Sequence, residues 1–334
     1  MLQKFKRFAN FGVFHKMNFS QSQLGFGIKT PLYSLHLSNR AKIVNINGYK
    51  LPSYYMDQSP EAENLYTRKF CSLFDTSNTG IFNIYGEDKI ELLESLSCSN
   101  IKEIQQNKSI YTIFLNANGG IIGHAILANC DEYFMIKTID DSKEKLLTYF
   151  SDYIANQFAG KEANIRHMED FGQLSLQGPF SERIMHKLFS FDFPKLKLME
   201  TVVLYNHLIG CRCRIFRCGI TGEDGFEIIL PIEKTLGLAE MILLTQLEEK
   251  EEKVKLAGVK ALDSLRIETG ICQYNKELNE MISPIEAKVR AQIGLRRIKE
   301  GGFLGHQYIV DQFKVGVALN RKGFLSGSIP LVEG

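Results

Sequence analysis

Cys211, Cys213 and Cys218 fall within one short stretch of the chain. Thiols this close together could ligate a metal ion, zinc above all. Cys-x-Cys along a strand also turns both thiols to one face. A zinc site would need a second Cys or His pair at a matching interval, and none follows. The expectation is buried free thiols, a reducing compartment and no metal. The segment Asn116–Gly120, rich in Gly and Asn, reads as a turn between two strands. One such turn is weak evidence of a ligand by itself.

The elements that must position any such chemistry alternate from Ile81 onward. Ile81–Tyr85 reads as a strand closed by Gly86, and Lys89–Leu96 has helical apolar spacing. Ile110–Leu115, Ile121–Leu127 and Tyr133–Lys137 read as strands, and Ser142–Phe158 as an amphipathic helix. The same order then returns. Leu174–Gln177 is a strand turned by Gly178 and Pro179, and Ser181–Leu188 a helix. Thr201–Tyr205, Cys211–Arg217 and Gly225–Leu230 are strands, and Glu233–Leu247 a helix after Pro231. The charge run Glu248–Lys255 reads as a solvated helix end. The repeat predicts two α+β sandwich halves, each an antiparallel sheet with helices on one face, and a ligand between them.

Composition agrees with two packed units. The chain has 334 residues, 44% hydrophobic, 23% charged, and no Trp. One hydrophobic core seldom serves that length. Collagen, a disordered tail and a disulfide-dense scaffold are excluded. No apolar run approaches the roughly 18 residues of a membrane helix, so an integral membrane protein is not expected. Charge is unevenly placed. Met1–Met56 carries eight basic residues and no acid, so the rest of the chain holds 32 basic and 38 acidic residues. That acidic body argues against a nucleic-acid partner. Residues 1–28 begin with Phe5, Phe8 and Phe14 at near-helical spacing among Lys4, Arg7 and Lys16. This is the pattern of a mitochondrial presequence, or of a basic arm that docks on a partner.

Eight blocks then carry a family resemblance: TPLYSLH (30–36), NGYKLPSYY (47–55), TRKFCSLFDTSNTG (67–80), YTIFLNANGGII (111–122), LSLQGP (174–179), RCGITGEDGFEIILP (217–231), AGVKALDSLRIETGICQYNKELNE (257–280) and EGGFLGHQYI (300–309). In this order they resemble the T-protein of the glycine cleavage system, a tetrahydrofolate-dependent aminomethyltransferase. The resemblance implies a folate-binding α+β fold of two ferredoxin-like halves, roughly 75–168 and 170–270, inside a core of 29–300. It implies that 301–334 is the remnant of a truncated C-terminal β module. It also implies an aminomethyl group delivered on sulfur by the lipoyl-bearing H-protein. A catalytic Asp would face the folate amines, where a fixed negative charge stabilises an iminium-like species.

The site positions implied by the resemblance are mostly altered. The catalytic Asp position is His124, which cannot supply negative charge. The folate-carboxylate Arg of an Ala-Arg-Asp triplet is Leu262, which removes a bidentate contact. Arg266, a turn later, reads as structural. A site Tyr is Ile220, a Ser-His-Met run is Ser77-Asn78-Thr79, and the Val-Asn that meets the pterin is Ile136-Lys137. Tyr111 and Glu227 keep folate-contacting positions. Framework residues match while most chemical ones do not. The sequence therefore predicts a mitochondrial T-protein-like pseudoenzyme without cofactor. Its expected role is as an accessory subunit among protein partners, with a respiratory-chain complex or the mitoribosome as host, in the matrix or on the matrix side of the inner membrane. The alternative is an active aminomethyltransferase that uses tetrahydrofolate and H-protein. A third reading is the iron–sulfur branch of the family, which rests on the Cys272-to-Glu277 spacing; Cys272 reads rather as a packed thiol.

Overall fold

The structure, a computed structural model, describes residues 27–139, 142–247 and 250–315. The N-terminal basic segment up to residue 26 and the last residues, 316–334, lie outside the described residues. In chain order the elements are β1 (Ile28–Lys29), α1 (Tyr33–Ser38), β2 (Ala41–Ile46), β3 (Tyr49–Tyr55), α2 (Pro60–Lys69), β4 (Ser72–Asp75), β5 (Ile81–Tyr85), α3 (Lys89–Leu96), β6 (Ser109–Leu115), β7 (Ile121–Asn129), β8 (Phe134–Thr138), α4 (Lys143–Gln157), β9 (Asn164–His167), β10 (Phe171–Gln177), α5 (Ser181–Leu188), β11 (Thr201–Asn206), β12 (Cys211–Arg217), β13 (Gly225–Pro231), α6 (Thr235–Leu244), β14 (Gln246–Leu247), β15 (Lys250–Lys253), β16 (Lys255–Leu256), α7 (Val259–Thr269), α8 (Leu295–Glu300) and α9 (His306–Val315).

Two sheets dominate this α+β fold, and they repeat one another. The first has the order β6-β7-β8-β5-β9 and the second β11-β12-β13-β10-β4-β16. The run β5-α3-β6-β7-β8-α4 thus corresponds strand for strand to β10-α5-β11-β12-β13-α6. Each half is completed by one more antiparallel strand, β9 beside β5 and β4 beside β10. A smaller sheet, β1-β3-β2, precedes them.

Strand alternation gives each sheet two buried faces. One face of the first sheet packs Phe82, Ile84, Phe114 and Ile136 on Leu93 of α3 and Phe150 of α4. The matching face of the second packs Leu174, Leu176, Phe226 and Ile228 on Ile184 of α5 and Leu238 of α6. The opposite faces meet each other. Ile81, Ile126 and Met135 of one sheet join Phe216, Cys218 and Ile229 of the other in a separate cluster. Burying each such large apolar side chain contributes about 1.5–3 kcal/mol. The segment after α7 closes over β6 and β7, packing Leu278, Ile293, Phe303 and Ile309 against Ile113 and Leu115.

Local signals explain the element ends. Ser59 caps α2 by accepting from the Ala62 N–H at 3.2 Å, Pro60 starts the helix, and Glu61 and Glu63 fill its first turn. α7 stops at Gly270, which takes the left-handed conformation at φ 78°.

One reading of the sequence is corrected. The helix expected over Glu233–Leu247 is a 3-10 turn, Ile232–Lys234, followed by α6, which ends at Leu244. The charge run is not a helix end, because β14 and β15 form a hairpin and β16 joins β4 in parallel. Thr245 is extended, with ψ 125°, and starts the new period. Val254 and Leu256 are buried while Lys253 and Lys255 are exposed, an alternation that a strand satisfies and a helix does not. Residues 248 and 249 within this run lie outside the described residues.

Candidate functional site

The interface between the two sheets brings the candidate residues together. Tyr111, Ile126 and Lys137 lie side by side across β6, β7 and β8. In the facing sheet Phe216, Glu227 and Ser175 form the corresponding row. Lys137 Nζ is 3.4 Å from Glu227 Oε2, and both side chains are only 5% exposed. Ser175 Oγ donates to Glu227 Oε1 at 2.7 Å, and the Gln173 amide donates to Oε2 at 3.4 Å. Burial pushes the Glu227 carboxyl above its usual range, and Lys137, Ser175 and Gln173 hold it back only in part. Tyr111 is pushed up by burial first, then by Cys218 and Glu227 nearby. Its hydroxyl is buried and has no hydrogen-bond partner among the described residues.

Gln173, Ser175 and Gln177 complete this polar row on β10. Gln177 Nε2 donates to Ser175 Oγ at 3.1 Å, and its Oε1 accepts from Thr221 Oγ1 at 3.1 Å. A Cβ on Gly219 or Gly225 would sit 2.0 or 2.2 Å from Gln177 Oε1, so both glycines leave room for that amide. Sequence reasoning missed these residues. The signal was present as Gln-Leu-Ser-Leu-Gln, polar at every second position of a strand whose other face is core.

His124 lies on β7 opposite Ile113 and is buried. With Tyr111 it lines a cavity of about 170 Å³, closed by Gly270, Cys272, Leu278 and Gln292 from beyond α7. Gln292 Oε1, like the Tyr111 hydroxyl, is buried without a hydrogen-bond partner among the described residues. Ile220, like Tyr111, packs against the apolar cluster between the sheets. Leu262 is elsewhere, against Phe74, Ala261 and Leu265. Arg266 is structural as expected: it donates to the Ile271 carbonyl at 2.8 Å and to Glu277 at 3.0 Å.

The thiols are packed as the sequence reading expected. Cys211 and Cys213 share a face with sulfurs 3.9 Å apart. Both are buried and free, as are Cys218 and Cys272. Burial pushes the Cys272 thiol up to about 11, so it is a poor nucleophile at neutral pH. Among the described residues no set of three or more His, Cys, Asp or Glu is placed to hold a metal ion.

Comparison with known proteins decides the family. The GCVT N-terminal domain matches residues 32–297. The human mitochondrial aminomethyltransferase is 34% identical over 306 residues, 91% of this chain and 73% of that protein. The probable mitochondrial aminomethyltransferase of Schizosaccharomyces pombe is 33% identical, over 92% and 77% of the two chains. The crystal structure of aminomethyltransferase T of the glycine cleavage system from Bartonella henselae superposes with a TM-score of 0.76, at 26% identity over 86% of this chain and 75% of that one. This chain belongs to the T-protein family.

Within this T-protein-family chain, the positions singled out by resemblance separate into two groups. Tyr111, His124, Lys137, Glu227 and Ile220 converge on the sheet interface and the adjoining cavity. Leu262 does not, and its apolar contacts leave no cation at that point of α7. The Lys137 ammonium and the Glu227 carboxylate face each other between the two sheets.

Proposed function

We propose that this chain acts in mitochondria as a tetrahydrofolate-dependent aminomethyltransferase of the glycine cleavage system, with H-protein as its donor. The observation that carries this reading is similarity over 91% of the chain to a protein of that name. In the reaction the carbon–sulfur bond to the lipoyl arm breaks and the thiol is released. Ammonia leaves, and the one-carbon unit bonds to the folate nitrogens. The residues fit part of this task. The Tyr111 hydroxyl and the Gln292 amide oxygen are buried without a hydrogen-bond partner among the described residues, and both residues line one cavity, which suits a ligand edge that can both donate and accept. Glu227 can accept N–H groups of a pterin once Lys137 yields it. His124 can take a proton as neutral imidazole, but it provides no fixed negative charge for an iminium-like carbon.

A specific observation favours a second reading, a catalytically silent T-protein serving as an accessory subunit of a mitochondrial assembly. The family resemblance aligns His124 with the catalytic carboxylate, and Lys137 Nζ lies 3.4 Å from Glu227 Oε2. One assay separates the two. The purified chain is mixed with aminomethyl-loaded H-protein and tetrahydrofolate, and ammonia and methylene-tetrahydrofolate are measured. Product above the protein-free control supports the enzyme. Its absence, with folded protein that migrates in a large salt-stable complex from mitochondria, supports the second reading.

A further inference from the structure

A second cavity opens at the other end of the sheet interface, and nothing in the reading above uses it. It measures about 150 Å³. The row Asn83–Met135 of the first sheet faces the row Val203–Arg214–Ile229 of the second. Its walls are apolar, with Met168 and Phe171 completing them. Asn83, Tyr133 and Arg214 break that wall with polar groups. Arg214 donates through Nη2 to the Tyr133 hydroxyl at 3.2 Å, while its Nη1 is buried with no hydrogen-bond partner among the described residues. Asn83 is 3% exposed. Its Nδ2 donates to the Tyr85 hydroxyl at 3.0 Å, while its Oδ1 is buried and likewise unpartnered. Arg212 stands exposed at the mouth.

We propose that this cavity binds a short α-hydroxy carboxylate. The buried guanidinium donor calls for an anion, and a carboxylate matches its planar fork. The unpaired Asn83 oxygen calls for a donor on the same ligand. A hydroxyl supplies it at less desolvation cost than an ammonium would, because among the described residues no carboxylate lines the cavity to compensate a buried positive charge. The methionine and phenylalanine walls take a short alkyl chain. The space is that of about five waters, which limits the ligand to a few carbons. The inference does not rest on the proposed aminomethyl transfer, since the residues are separate.

The test uses the full chain and 2-hydroxyisovalerate, titrated by calorimetry. A methyl-13C-methionine NMR spectrum locates the ligand. Saturable binding that shifts the Met135 and Met168 methyl signals is expected. Isovalerate, which lacks the hydroxyl, and 2-hydroxyisovaleramide, which lacks the charge, should each bind about tenfold or more weakly. Arg214→Met should weaken 2-hydroxyisovalerate by about tenfold or more. Met168→Phe, which fills the space without touching a polar group, should block it as well. No binding by the wild-type chain, or binding that leaves both methyl signals in place, overturns the proposal. So does valine binding more tightly than the hydroxy acid, since the donor would then be an ammonium.

Discussion

Lys137 and Glu227 are two opposite charges taken almost completely out of water. The family resemblance singled out each of them in the sequence. Their contact was not legible there, because it joins strands of different sheets and no local pattern encodes it. Removing one partner of a buried pair is costly, since the other charge stays behind. Lys137→Met should therefore destabilise the fold by about 2–4 kcal/mol at pH 7, somewhat less than a bare charge because Ser175 and Gln173 still donate to Glu227. The sign with pH follows from Glu227, whose carboxyl is already raised in the folded chain. A raised carboxyl contributes stability when protonated and loses it as pH rises through the folded value. Without Lys137 that value climbs further, so the penalty should shrink between pH 7 and pH 5. Urea unfolding of Lys137→Met at the two pH values measures this. The double variant Lys137→Met with Glu227→Gln should recover most of the loss, and a penalty equal at both pH values would exclude a buried charged Glu227.

Most elements were legible because apolar periodicity changes cleanly between 2 and 3.6 along this chain. The repeat of strand, helix, three strands and helix is the observed topology of both halves. The failure at α6 arose where a charged run hid a period-2 pattern in two buried residues, Val254 and Leu256. Long-range closures were not legible either. The turn between β6 and β7 is a case: it docks on a loop far along the chain. The Ile121 N–H donates to the Ile282 carbonyl at 3.0 Å, and the Asn116 amide to the Glu280 carbonyl at 2.9 Å. A Cβ on Gly120 would lie 1.7 Å from that Glu280 oxygen, a backbone atom that no rotamer change can move. Gly120→Ala should cost about 3 kcal/mol or more and raise amide exchange across residues 279–282. Gly270→Ala is the control. Its φ is 78° with nothing within 4 Å, so only the left-handed penalty of about 1–2 kcal/mol applies. Equal losses in the two variants would mean that the turn and the loop do not touch.

At the scale of the whole molecule, a buried link ties the N-terminal sheet to the second half. His36 of α1 bonds Asp75 of β4 at 2.9 Å and the Tyr55 hydroxyl of β3 at 2.8 Å, and the His36 and Asp75 side chains are fully buried. Nearby, Glu63 accepts from the Tyr55 N–H at 2.7 Å and the Gly258 N–H at 2.8 Å, joining β3 to the start of α7. The two carboxylates respond to acid in opposite senses. Burial pushes Asp75 up, but the hydrogen bond and charge of His36, with bonding from Ser77, outweigh it, and its value ends below the usual range. Burial raises Glu63, and its two backbone bonds only partly offset this. A lowered carboxyl contributes stability above its unfolded value of about 4, and that stability is lost as pH falls through the lower folded value. A raised one, such as Glu63, contributes stability below the unfolded value and loses it as pH rises through the folded one. Asp75 is therefore the group that makes this junction acid-sensitive. Asp75→Asn should cost about 1–3 kcal/mol at pH 7 and flatten the fall of the melting temperature between pH 5 and pH 3. Calorimetric scans across that window compare the slopes, and an unchanged slope in the variant would place the acid sensitivity outside this junction.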